Sequence, residues 1–205
     1  MCGFIGYISK NSNTKYNLTS AAKEIIHRGP DMQNIIIKNN WSVAFNRLSI
    51  LDLSKKAMQP FIFENVIVFV NGEIYNYLEL KKELLNFYNF KTSNDCEVIP
   101  ILYKIYGIKF LDKLNGFFSI VIIDDNAKKF YLIRDRFGKK PLYYYLENNN
   151  FFFTSEIKAL KKIKDLKPDK ISINANLSSW FLTADQSLYK GVKNMRENFS
   201  YSLVK

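Results

Sequence analysis

At 205 residues, with 47% hydrophobic and 24% charged side chains, the chain has the length and composition of one substantial folded domain and excludes a disordered polymer. No apolar run reaches the ~18–20 residues of a membrane span, and Met1-Cys2-Gly3-Phe4 has neither the basic leader nor the apolar length of a signal peptide. The net charge of +11 is spread through the chain as scattered lysines with no basic block, so nucleic-acid binding is not expected, and two cysteines, Cys2 and Cys96, point to a reducing, cytosolic setting without a disulfide framework.

In chain order, residues 2–9 read as an apolar strand and residues 17–28 have helical spacing, with Thr19 or Ser20 as cap. Strands are expected around Ile35-Ile36-Ile37 and over 42–51, and residues 61–70 read as two short strands turning at Glu64-Asn65. Leu78, Leu80, Leu84 and Leu85 define a helix over 77–87, and a second helix over 97–106 stops at Gly107. Strand patterns return over 117–123 and 130–134, then 142–146 and 151–154 pair across Asn148-Asn149-Asn150. A helix follows from Ser155 to about Lys162, the main body ends near residue 165, and residues 166–205, with a helix expected over 176–184, read as an extension. Strands grouped at both ends with helices between them, and no regular βαβ alternation, give an α+β layered domain.

Cys2 is the most informative position. Its small side chain permits removal of Met1, which leaves thiol and α-amine on one residue. An α-amine, with a reference pKa of ~7.7–8.0, is a usable base near neutral pH and is tethered to the nucleophile it must activate. A small apolar residue opening an ordinary strand is the plainer reading of Cys2 alone. His27, the sole histidine, suggests a Cys–His pair or a helix-end cap, and too few ligands are present for a metal site. Asn71-Gly72 reads either as a type I′ hairpin turn or as an oxyanion hole built from a side-chain amide and a backbone N–H. Arg47, in an apolar segment, needs an anionic partner, Glu73 suits a cationic group, and Asp95 is a helix cap or a binding carboxylate. Together these residues suit a zwitterionic amino acid that carries a side-chain amide.

Nine stretches carry a resemblance. They are Cys2-Gly3-Phe4-Ile5-Gly6, His27-Arg28-Gly29-Pro30-Asp31, Asn46-Arg47-Leu48-Ser49-Ile50, Met58-Gln59-Pro60, Asn71-Gly72-Glu73-Ile74-Tyr75-Asn76, Asp95-Cys96-Glu97, Leu114-Asn115-Gly116-Phe117-Phe118, the run from Arg134 to Tyr143, and Thr154-Ser155-Glu156-Ile157-Lys158-Ala159-Leu160. In order and spacing the chain resembles the class II glutamine amidotransferase domain of glutamine-dependent asparagine synthetases. The resemblance implies a four-layer αββα N-terminal-nucleophile hydrolase fold with two antiparallel sheets. It implies that Cys2 attacks the glutamine carboxamide with its own α-amine as base, and that Asn71 and Gly72 hold the oxyanion. It further implies that Arg47 binds the α-carboxylate, Glu73 and Asp95 the α-amino group, and that Leu48, Ser49, Ile50 and Leu51 line the glutamine pocket. No cofactor is implied, and the partner is an ATP-using, ammonia-accepting synthetase module. Arg136 stands where the family has Pro, Glu197-Asn198 replace an expected Pro-Gly, and the Ser-Gly-Gly-x-Asp-Ser pyrophosphate loop of the synthetase half does not occur in these residues. A non-catalytic domain of the same fold, or a hydrolase of another amide, are the alternatives.

Overall fold

Seven consecutive buried residues in a strand, with no polar face, require cover on both sides of the sheet. This is the burial of the first strand, β1 (Gly3–Ser9), and of β3 (Trp41–Arg47) in a computed structural model that describes residues 1–9, 15–180, 182 and 185–196, and the backbone of 199–204. The other strands are β2 (Met32–Ile37), β4 (Phe61–Phe63), β5 (Val66–Ile74), β6 (Gly116–Asp124), β7 (Lys129–Arg134), β8 (Tyr143–Glu147), β9 (Asn150–Thr154), β10 (Val192–Asn194) and β11 (Phe199–Val204). They form a six-stranded sheet, β10-β8-β9-β1-β3-β2, and a five-stranded sheet, β11-β7-β6-β5-β4, with every pairing antiparallel.

Side chains alternate along each strand, and the alternation separates three apolar layers. Phe4, Ile8, Val43, Phe45, Phe69, Val121, Phe130 and Phe153 meet between the two sheets. Ile5, Tyr7, Ala44 and Phe152 face outward onto α1 (Leu18–Glu24) and α4 (Ile157–Lys161), which contribute Ala21, Ala22, Ala159 and Leu160. On the far side Val68, Val70, Ile120 and Ile122 meet Leu80 and Leu84 of α2 (Tyr77–Leu84) and Ile99 and Leu102 of α3 (Val98–Tyr106). The result is the expected αββα sandwich.

Three local expectations change. Asn17, rather than Thr19 or Ser20, caps α1, its side chain accepting from Ser20 N at 3.1 Å. Strand β3 stops at Arg47 instead of running to Leu51, because the Arg47 guanidinium binds the carbonyls of Ser54 (2.7 Å) and Asp52 and folds the segment between them into a loop. Strand β5 continues through Asn71 and Gly72 to Ile74, and neither residue has a positive φ, so the hairpin-turn reading is wrong. The Asn148-Asn149 turn does have left-handed φ at both positions, 48° and 62°, as a two-residue hairpin demands.

The last helix, α5, spans Lys170–Ser179, with Asp169 capping Ile171 N at 3.1 Å, and so begins earlier than the expected 176–184. Trp180 ends it in the left-handed region and is 91% exposed. Residues 181, 183 and 184 of the expected helix lie outside the described residues. Beyond α5 the chain returns to the sandwich. β10 joins β8 at one edge, β11 joins β7 of the other sheet, and Met195 is buried between the sheets.

Candidate active site

The intersheet rows of three strands turn polar at the same end of the sandwich. The row Phe4-Gly6-Ile8 of β1 is preceded by Cys2, the row Val43-Phe45 of β3 ends in Arg47, and Phe69 of β5 is followed by Asn71 and Glu73. The period of two therefore aims Cys2, Arg47, Asn71 and Glu73 into one space. They line one cleft together with Met1, Leu48, Ile50, Leu51, Gln59, Gly72, Asp95 and Lys140. Ser49 does not line it; its N–H donates to Asp31 Oδ2 at 2.6 Å.

At the cleft floor the Cys2 sulfur accepts from Leu48 N at 3.4 Å. Burial pushes the Cys2 thiol above its ordinary range, against the pull of the Leu48 N–H, the terminal amine, Arg47 and Lys140. A thiol in that state needs a base before it can attack. The Cys2 carbonyl is clamped by Arg28 Nε at 3.0 Å; with the Asn71 amide assigned in the orientation that satisfies its neighbours, its nitrogen donates to the same carbonyl at 3.0 Å and its oxygen accepts from Arg28 Nη2 at 3.3 Å. An amide nitrogen has two protons, so one remains for a further acceptor. Arg28 in turn pairs with Glu156 at 3.0 Å, and His27 joins the same carboxylate at 3.0 Å. His27 thus faces Glu156 at the surface and makes no Cys–His pair.

The edge of β5 supplies the second donor. Val66 and Val68 turn their backbone groups towards β4, so every second residue beyond them points the same way. At Val70 the Gln59 side chain takes that edge, accepting from Val70 N at 2.6 Å and donating to Val70 O at 3.0 Å. At Ile74 the Asp95 carboxylate accepts the N–H at 2.7 Å. Gly72 lies between them. Phe118, opposite it on β6, spends its own N–H and C=O on Asp135, at 3.1 and 2.9 Å, which leaves the Gly72 N–H directed into the cleft. A Cβ at Gly72 would sit 2.3 Å from Phe117 O and 2.6 Å from Phe118 Cα, so the close approach of β5 to β6 requires glycine.

Charge is distributed along the cleft. Arg47 is 3% exposed and, among the described residues, binds only backbone carbonyls and no carboxylate. The anionic partner expected from the sequence is therefore not found among the described residues. Glu73 likewise has no hydrogen-bond or ion-pair partner among the described residues. Asn94, not Asp95, is the cap of the short turn Asp95–Glu97, accepting from Cys96 N at 2.9 Å. Asp95, 3% exposed, is raised by burial against the hydrogen bond from Ile74. Residues 48–54 form one wall, pinned by Arg47, by Asn94 Nδ2 on Leu51 O (3.1 Å), and by Asp52, whose carboxylate accepts from Ser54 and Ser93 N–H at 2.9 and 2.8 Å. Those bonds, Ser54 first, hold Asp52 at about 2.

Gln59, Asn94 and Lys140 were not singled out from sequence as site residues. The signal for two of them was present in the runs Met58-Gln59-Pro60 and Arg134 to Tyr143. Asp135 organises the latter, its carboxylate accepting from Phe137, Lys139 and Lys140 N–H at 2.9, 3.2 and 3.3 Å. Arg136 is exposed in that turn.

A thiol at the mouth of a two-sheet sandwich with helices outside defines an N-terminal-nucleophile amidotransferase architecture. The glutamine phosphoribosylpyrophosphate amidotransferase from B. subtilis, solved with ADP and GMP, shares it, at a TM-score of 0.65 and 19% identity over 78% of this chain and 43% of that one. The chain belongs to the glutamine amidotransferase domain family, whose model matches residues 1–203. It is 47% identical over 167 residues to asparagine synthetase [glutamine-hydrolyzing] 2 of Bacillus subtilis, covering 78% of this chain and 22% of that protein. It is 33% identical to a putative asparagine synthetase [glutamine-hydrolyzing] 2 of Methanocaldococcus jannaschii, over 100% of this chain and 45% of that protein. The chain thus spans less than half the length of these relatives.

Proposed function

We propose that the chain hydrolyses glutamine to glutamate and ammonia and supplies the ammonia to an ATP-dependent synthetase module of the asparagine synthetase type, in the cytosol. The observation that carries this reading is the charge pattern of the cleft. A buried Arg47 without a carboxylate and the acids Glu73 and Asp95 flank the Cys2 thiol, the arrangement a glutamine zwitterion needs to present its carboxamide to sulfur. Cys2, freed of Met1, adds to the carboxamide carbon as its α-amine takes the thiol proton. The Asn71 amide and the Gly72 N–H receive the oxyanion. Collapse returns the proton to the departing nitrogen, ammonia leaves, and water cleaves the Cys2 thioester to glutamate. Leu48, Ile50 and Leu51 close the pocket over the substrate's methylenes.

The isolated chain is expected to be an uncoupled glutaminase. Its eight glycines are scattered singly, so no glycine-rich loop is present to cradle a triphosphate. Incubated with glutamine, aspartate, ATP and magnesium, it should yield glutamate and ammonia in equal amounts, unchanged when ATP is withheld. ATP-dependent asparagine would overturn the expectation, and no glutamate from protein whose intact mass shows loss of Met1 would overturn the reading of the site.

A further inference from the structure

Gln59 lines the cleft, is 5% exposed, and is hydrogen-bonded to both sheets at once. Its backbone carbonyl accepts from Asn34 Nδ2 at 2.9 Å, and Asn34 lies on β2 of the six-stranded sheet. Its side-chain amide takes both backbone groups of Val70 on β5 of the five-stranded sheet, Oε1 accepting at 2.6 Å and Nε2 donating at 3.0 Å. A backbone N–H needs an acceptor and a carbonyl a donor, so these partners fix which end of the amide is which. The hydrolysis as written does not use this residue, yet its two anchor points frame the chemistry. Asn34 stands opposite Phe45 of β3, and Phe45 stands opposite Phe4 of β1, two residues after Cys2. Val70 immediately precedes Asn71 and Gly72, and on their far side the Ile74 N–H is held by Asp95. The pairing of β4 ends at Val68, so both proposed oxyanion donors lie on a stretch of β5 fastened by side chains.

We propose that Gln59 is a positioning residue for amide hydrolysis, a bracket between the sheets that sets the Asn71 and Gly72 donors relative to the Cys2 sulfur. The inference rests on the glutaminase reading above. The nucleophile precedes β1 of one sheet and the donors lie on β5 of the other, so their separation depends on how the two sheets are offset. Between the sheets the contacts are apolar, and apolar attraction is non-directional; it holds the sheets together without fixing that offset closely. Hydrogen bonds are directional, and Gln59 supplies them to both sides, one residue from Asn71. An oxyanion donor must meet the forming charge within about 2.7–3.1 Å, so a small slip of β5 costs rate. Ground-state binding of glutamine by Arg47 and the 48–51 wall is less exacting.

The test is Gln59→Met, which keeps the volume and removes both bonds to Val70, on enzyme whose mass confirms loss of Met1. Its kcat for glutamate release should fall by ~10–100-fold with KM within about threefold, the effect of a slightly misplaced catalytic group. Alkylation of Cys2 by iodoacetamide forms no oxyanion, so its rate, followed by mass, should stay at the wild-type value. Asn34→Ala frees the other end of the bracket and should show the same split with a smaller loss of kcat. Wild-type kcat in Gln59→Met, or a rise in KM alone, would overturn the inference. So would alkylation slowed as much as turnover, which would reduce Gln59 to general support of the fold around Cys2. Should Gln59→Met fold poorly, Asn34→Ala decides by the same readings. A wild-type chain that is alkylated at Cys2 yet releases no glutamate would instead overturn the underlying reading, a result distinct from an unchanged variant.

Discussion

Cys2→Ala is expected to lower glutamate release by about 10⁴-fold or more, while its thermal unfolding stays within about 1 kcal/mol of wild type. Cys2 stands before β1, takes no part in the sheet register, and packs only at the edge of the intersheet core, so little folding energy depends on it. Both cysteines line the cleft, but Cys2 is part-exposed, whereas Cys96 is 3% exposed and burial holds its thiol well above the ordinary range. Cys96→Ala should therefore retain activity. Retention of Met1, forced by an uncleavable amino-terminal extension, should be nearly as damaging as loss of the thiol, because the base is then an amide nitrogen. Glutamate assays on the three proteins, with circular dichroism as control, decide the matter. An inactive but folded Cys96→Ala, beside an active Cys2→Ala, would move the nucleophile to the other cysteine.

The second large effect separates the two ends of the bound substrate. Asn71→Ala should reduce kcat by ~10²–10³ with a small change in KM, because a donor to the oxyanion acts mainly on the transition state. Arg47→Ala should raise KM with a smaller effect on kcat, since the α-carboxylate is charged throughout the reaction. The structure adds a complication to each. Asn71 also holds the Cys2 carbonyl, so Asn71→Asp, which places an acceptor against an acceptor, should be worse than alanine. Arg47 also ties down the 48–54 loop through Ser54 and Asp52, so Arg47→Lys should recover little, lacking the second branch of the guanidinium. Steady-state kinetics would refute the scheme if Asn71→Ala changed KM alone.

The residues legible in the sequence were those whose role is announced by local type and spacing. A cysteine at position two, an Asn-Gly-Glu after an apolar run and an arginine inside one all stand out without knowledge of neighbours. The layered α+β architecture was legible too, because strands grouped at both ends with helices between them leave no regular βαβ alternation. Asn71-Gly72 misled at the level of local structure, since that dipeptide is the strongest hairpin signal. Here the ladder with β6, which runs from Val66 to Ile74, overrides it. The last helix was displaced towards Trp180 by its apolar residues, while the cap at Asp169 sets its start. Lys140 and Gln59 lay inside stretches that carried the resemblance, but their roles in the cleft were not legible, for a different reason. Their place in the cleft depends on a turn organised by Asp135 and on an edge left open by the shortness of β4, and both are facts of tertiary structure.

The shortness of β4 has one more effect. An exposed strand edge is ordinarily a template on which a second polypeptide can add itself, and sheets that leave one open risk association. On β5 the outward positions beyond β4 are taken alternately by a side-chain amide at Val70 and a carboxylate at Ile74, leaving a single open rung at Gly72. One rung is too short to register another strand but wide enough for a carbonyl oxygen of a small molecule. The domain thus keeps a reactive edge that a metabolite can complete and a polypeptide cannot.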